Sequence, residues 1–335
     1  MFMVLVIHAN FVSLPCPLTD ELVTAPLSTS FRYFVESLGI VSVDVFVLIS
    51  GWFRIKTNIK SVFNFVFQVL FFWIGGYVVC LLLGRAELSL GGVLECFAFT
   101  QWDWFIKAYL VLFIISPILN TFVDHSSERL HRNVLVAFLL FQFTYGWLGG
   151  AGRFFVNGYG PLSFIGLYLL AQYIKRVSRN EGKGRLFNFP KHFDLLIFFV
   201  SAILNTLLSL AFLKSGRLVN STVFAYISPV VVIGALYLLL FFPKFKIKYN
   251  RVINWFGASS FAVYLLHSQV DIRNVFTRVI VKLDSISDGF YEVGLIFLFL
   301  VFVYVVSVIV DQLRILLWNL LWNRFGEKNY VCANH

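Results

Sequence analysis

Charge is what this sequence has least of: 13% of its 335 residues are Asp, Glu, Lys or Arg, where soluble domains average about 25%. Acidic residues are the scarcer sign, 17 against 27 Lys and Arg. The four cysteines, Cys16, Cys80, Cys96 and Cys332, have no metal-ligand spacing, and no metal is expected. No strand precedes Gly149, Gly150 and Gly152, so these glycines form a loop rather than a dinucleotide fingerprint. The first apolar run lacks the basic flank and small-residue cleavage site of a secretory signal. No zinc-finger or basic-helix spacing accompanies the net charge of +10, which argues against nucleic acid as a partner.

What is present is apolar. Hydrophobic residues make up 59% and aromatic residues 19% of the chain, and the mean hydropathy is +0.82. A chain this apolar cannot hide its hydrocarbon surface in a water-soluble core, so the lipid bilayer is the solvent for much of it. Ten apolar runs are visible, near residues 1 to 14, 38 to 53, 62 to 84, 104 to 123, 134 to 150, 162 to 174, 194 to 213, 223 to 243, 253 to 270 and 290 to 313. They lack period-two alternation, and open sheet edges do not survive in lipid, so all are expected as helices. The predicted fold is all-α: one polytopic membrane bundle of about ten transmembrane helices over residues 1–335. Residues 314–335 are expected as an interfacial or cytoplasmic tail, with Trp318 and Trp322 in a helix lying in the headgroup layer. The Lys175 to Phe193 stretch reads as a flexible loop.

Lys and Arg gather in alternate connections: Arg54, Lys56, Lys60; Arg129, Arg132; Lys175 to Lys191; Lys244 to Arg251; Arg314 to Lys328. This set holds about twice as many as the opposite set, which places it, and both chain ends, in the cytoplasm of a cell (inner) membrane. On that topology Cys16 and Cys96 fall in outer loops, where two unrelated thiols are preferred over a disulfide. The run before Pro15 spans only about 21 Å against about 30 Å of hydrocarbon, so the chain is expected to start upstream, or else the helix is short and thins the bilayer.

Ionisable side chains inside apolar runs are expensive, so those that persist mark pathways or reaction centres. His8 lies about 10 Å below the predicted outer boundary, Asp44 about 9 Å and His267 about 6 Å, counting helical rise. Agreement in depth points to one shared polar cavity. A neutral imidazole beside a carboxylate is the arrangement of a general base, so His8 is the candidate base and Asp44 its orienting partner. The same pair would also serve a proton relay in a transporter.

Arg54, Lys56 and Lys60 directly follow Ser50-Gly51-Trp52-Phe53. They set topology at least, and they suit the phosphates of a nucleotide-bearing thioester, with Ser50 and Gly51 allowing close approach at the helix end. Trp104 belongs by position to the outer aromatic belt, and Lys107 lies one turn further into the same helix. His125 and His131 read as solvated in the polar connection Asp124 to Arg132, and His192 flanks Pro190 in a loop.

Four segments together resemble the membrane-bound acyltransferase 3 family: Val4-Leu5-Val6-Ile7-His8; Val43-Asp44 through Ser50-Gly51-Trp52-Phe53; Trp104-Phe105-Ile106-Lys107-Ala108-Tyr109 with Ser116-Pro117; and Ser260-Phe261-Ala262-Val263-Tyr264-Leu265-Leu266-His267. The family's arginine about three helical turns before the histidine has no room ahead of His8, in keeping with a start upstream. The resemblance implies an O-acetyltransferase-like enzyme that moves an acyl group, most simply acetyl, from acetyl-CoA to a hydroxyl of a cell-surface glycan or its lipid-linked precursor. It implies His8 and Asp44 as catalytic, Ser50, Gly51, Arg54, Lys56 and Lys60 at the donor, and Trp104, Lys107, Tyr264 and His267 at the acceptor. The competing class is a transporter or flippase of a lipid-linked sugar using an intramembrane proton path. It would favour repeated halves, and no convincing repeat is found.

Overall fold

The computed structural model describes residues 1–97, 102–149, 152–179, 189–216, 222–245, 248–286 and 289–323. Gly150, Lys183, Arg185, Arg324, Lys328 and Cys332 lie outside the described residues, as do residues 180–188 of the expected 175–193 loop; its two ends are not loop but belong to the helices Pro161–Arg179 and Lys191–Lys214. Among the described residues the regular structure is entirely helical. Among the described residues five helices are long and apolar enough to cross a membrane: Pro26–Phe53, Ile59–Leu82, Trp104–His125, Lys191–Lys214 and Phe290–Leu321. Phe2–Ser13 and Pro229–Lys244 are shorter apolar helices. The chain is a multi-pass membrane protein, and its helices gather in two compact units, neither of which is a continuous stretch.

The first unit comprises Met1–Leu14, Thr57–Asp103 and Lys248–His335. Its core joins Leu5, Ala9 and Leu14 to Val263, Phe276, Ile280, Leu300 and Val308. Asn58 starts the long helix Ile59–Leu82 by accepting a hydrogen bond from Ser61 N (2.8 Å), while Ser61 Oγ accepts from Asn58 N (2.9 Å). In the helix Phe290–Leu321, Asp311 pairs with Arg314 one turn on, Nε to Oδ1 at 2.8 Å and Nη2 to Oδ2 at 3.1 Å. Gln68 donates to Asp311 and Arg314 donates to Asn64 Oδ1, so the buried pair meets two more polar side chains from the facing helix.

Sequence and structure part here in two places. The helix continues to Leu321 without a break, so the residues from Arg314 to Leu321 are not a separate helix, and Arg314 is buried. Val270–Ile286, expected as a connection, is a helix whose Phe276 and Ile280 face the core.

The second unit comprises Pro15–Lys56 and Trp104–Ile247. Ser42–Phe53 packs on Pro161–Arg179 because Gly51 lacks a side chain: a Cβ there would stand 2.5 Å from the Tyr168 carbonyl oxygen and 2.9 Å from Ala171 Cβ. Inside Trp104–His125, Pro117 cannot donate to the carbonyl of Phe113, and Ser116 Oγ takes that bond at 2.8 Å. Asp194 and Lys244 form a second buried ion pair. Two local expectations change in this unit as well. Pro26–Gly39, expected as loop, is a helix with Tyr33, Glu36 and Ser37 buried. Gly152 opens the short helix Gly152–Phe155 rather than continuing a glycine loop.

Candidate functional site

In the first unit the α-helix Phe2–Ile7 widens into a π turn, His8–Ser13, closed by Leu14 N on Ala9 O at 3.1 Å. Single-turn swellings of this kind accompany functional sites. Leu5 and Ala9 commit one face of the segment to the core, and His8, one turn after Leu5, meets the helix Ser260–Ser268. His8 Nδ1 lies 2.9 Å from His267 Nε2, with ring centroids 4.9 Å apart. His267 is 1% exposed, and its Nδ1 is hydrogen-bonded to the Val263 carbonyl in its own helix. Tyr264 stands edge-on to His267 at 5.8 Å and donates its hydroxyl hydrogen bond to Asp103. His8, His267, Tyr264 and Asp103 thus form one cluster of proton-carrying side chains. His8 retains some exposure, whereas His267 and Tyr264 are buried.

Asp44 lies in the second unit, in the first turn of Ser42–Phe53. It is wholly buried, and neither carboxyl oxygen has a hydrogen-bond partner. His8 and Asp44, expected from sequence as partners, belong to different units; within its own unit His8 Nδ1 is engaged by His267.

The basic residues divide in the same way. Arg54 and Lys56 belong to the second unit and Lys60 to the first, where its ammonium lies 5.2 Å over the Trp322 ring. Ser50 Oγ donates to Phe46 O and meets Tyr109 OH at 3.1 Å. The helix ends at Arg54, whose φ of 63° turns the chain and whose guanidinium reaches Asp124 at 2.6 Å. Beyond the turn, Ile55 N donates to Tyr168 OH, Tyr168 donates to Asn120 Oδ1, and Asn120 Nδ2 donates to Ile55 O. Lys175 donates to Trp52 O, and Arg176 caps the next helix end through Val123 O and Ser126 O. Sequence reasoning counted Lys175 and Arg176 only as topology charges; their place in the last turn of an apolar helix was the available signal.

Trp104 packs against Tyr159 (4.4 Å) and Tyr226 (5.6 Å), and Lys107 is half-buried one turn on. His131, expected as solvated, is buried with Nε2 3.2 Å from Leu169 O, while His125 and His192 are exposed. Cys16, Cys80 and Cys96 are free thiols. Among the described residues no group of three or more His, Cys, Asp or Glu is placed to hold a metal ion.

A helical membrane protein with an imidazole pair and a cationic helix end has the parts of a group-transfer enzyme. The Acyltransferase domain model of the acyltransferase 3 family matches residues 1–311, and the chain belongs to that family. No curated protein and no solved structure matches it. Its class is therefore acyltransferase, working on an acyl donor and an acceptor at a bilayer.

Proposed function

We propose that the protein transfers an acetyl group from cytoplasmic acetyl-CoA to a hydroxyl of a surface glycan or its lipid-linked precursor. The observation that carries this reading is the His8–His267 pair, with His267 buried, in a chain of the acyltransferase 3 family. His8 takes the proton of the acceptor hydroxyl as its oxygen attacks the thioester carbonyl; the carbon–sulfur bond breaks, and the proton passes from His8 to the departing thiolate. The products are the ester and free thiol. Asp44 is kept as the candidate acid of this scheme on the family resemblance; in its own unit it is wholly buried, with no hydrogen-bond partner on either carboxyl oxygen.

Arg54 and Lys56 bind the donor phosphates at the cytoplasmic side, just past the end of the helix Ser42–Phe53 that carries Ser50 and Gly51 and where Lys175 donates to Trp52 O. Lys60 is a further donor-binding candidate by its charge. Trp104, Lys107 and Tyr264 are the acceptor candidates that the family resemblance implies. The unequal distribution of Lys and Arg supports a cell (inner) membrane location of about ten spans with both ends cytoplasmic. The test is transfer of radiolabelled acetyl from acetyl-CoA to candidate glycans by the protein in nanodiscs. Wild type is expected to label an acceptor and His8→Ala to lose at least about a hundredfold in rate; equal transfer by both would remove His8 as the base.

A further inference from the structure

We infer that His267 is a positioning residue that fixes the tautomer of His8, so that Nε2 of His8 is the nitrogen that receives the proton. The inference rests on the acyl-transfer role proposed for His8, and it assigns His267 to the base rather than to the acceptor.

The argument follows the donors along three atoms. A carbonyl oxygen only accepts, so the bond between His267 Nδ1 and Val263 O requires the proton on Nδ1. In the neutral ring Nε2 of His267 then carries a lone pair and can only accept. Its partner at 2.9 Å, His8 Nδ1, must be the donor. Neutral His8 therefore holds its proton on Nδ1 and its lone pair on Nε2. The direction of the whole chain is set by a backbone carbonyl inside the helix Ser260–Ser268, which cannot rotate away.

Burial agrees with this order. His267 is 1% exposed, packed between Tyr264 and Phe276, and out of reach of a bulky substrate. His8 is the ring with remaining exposure. When His8 Nε2 takes a proton, the new positive charge has an acceptor already in place at His267 Nε2. The Nδ1 proton of His8 can move onto that nitrogen, leaving His267 doubly protonated and still donating to Val263 O. The dyad then holds one proton over two rings until the leaving thiolate takes it from His8 Nε2.

The experiment compares wild type, His267→Gln and His267→Leu, all full-length in nanodiscs, by kinetics and by nitrogen-15 NMR of histidine-labelled protein, with the His8 signals assigned by difference from His8→Gln. The glutamine side chain keeps an acceptor oxygen close to the position of Nε2, whereas the leucine side chain keeps none. The expected result is a fall in kcat of about a hundredfold or more for His267→Leu at little-changed acceptor KM, and recovery to within about tenfold of wild type for His267→Gln. In wild type and His267→Gln the His8 spectrum should show a protonated Nδ1 and a bare Nε2. Equal losses in both variants, a raised acceptor KM with kcat intact, or a wild-type His8 protonated on Nε2 would each overturn the inference. A variant that fails to fold leaves the wild-type spectrum to decide. Wild type without any acetyl transfer would instead overturn the proposed function, and the tautomer would still be read from its spectrum.

Discussion

Gly51 and Tyr168 approach so closely that a single added carbon would collide with main chain: the absent Cβ of Gly51 would sit 2.5 Å from the Tyr168 carbonyl oxygen. Backbone cannot swing aside as a side-chain tip does. Gly51→Ala should therefore push Ser42–Phe53 off Pro161–Arg179 and cost about 1–3 kcal/mol. Tryptophan fluorescence on heating the purified protein should show a lower unfolding midpoint. An unchanged midpoint would mean that the two helices have slack.

Arg54 combines a cation with a positive φ of 63°, and the two properties can be separated. A non-glycine residue held there is strained by about 1–3 kcal/mol, while its exposed bond to Asp124 returns at most about 1 kcal/mol. Arg54→Gly should thus match or exceed wild type in thermal stability and yet raise the KM for acetyl-CoA, because the charge is gone. Loss of stability with an unchanged KM would make Arg54 a structural cap and remove it from the donor site. Neutralising Lys56 and Lys60 should raise the same KM further; no change there would reduce both to topology signals.

Cys16 sits in the loop after the π turn, its thiol against the Tyr33 hydroxyl at 3.3 Å. Burial is the main influence and pushes the thiol pKa up, since it disfavours the charged form. The thiolate should accordingly be scarce near neutral pH, and maleimide labelling should be slow there and accelerate only at a higher pH than for a free cysteine. Labelling as fast as that of an unhindered thiol at neutral pH would contradict the packing of this loop on Tyr33.

Much of the architecture was legible in sequence because lipid imposes a simple rule. Ile59–Leu82, Trp104–His125 and Lys191–Lys214 fall within a few residues of their apolar runs, as a helix surrounded by hydrocarbon must be apolar on most sides. Pro26–Gly39 and Val270–Ile286 escaped notice for the converse reason. Val270–Ile286 is amphipathic, burying Phe276 and Ile280 and exposing Arg273, Arg278 and Lys282, while Pro26–Gly39 buries the polar Thr29, Glu36 and Ser37 with Tyr33 and exposes Leu27 and Phe31; the average of each resembles a loop. At the site, depth alone brought His8 and His267 to the same layer. The choice of His267 as the ring facing His8 depends on side-chain direction, which the spacing of residues does not contain. His131 shows the same limit in reverse: its polar neighbours in sequence suggested water, yet packing buries it on the Leu169 carbonyl.

The Asp311–Arg314 pair yields the sharpest test of what the membrane demands. Both side chains are buried, the carboxylate receives two bonds from the guanidinium and a third from Gln68, and Asn64 takes a further guanidinium proton. Removing one partner leaves a charge with nowhere to go: Asp311→Asn should cost about 3–5 kcal/mol, and Arg314→Met a similar amount. Removing both charges together, Asp311→Leu with Arg314→Met, takes away the desolvation penalty as well as the attraction. The double variant should be far more stable than the sum of the single losses, leaving only Gln68 and Asn64 short of partners. A double-mutant cycle on folded yield and unfolding midpoint measures this coupling. Additive losses would show that the two residues act independently, and that the pair does not fasten Ile59–Leu82 to Phe290–Leu321 through its charges.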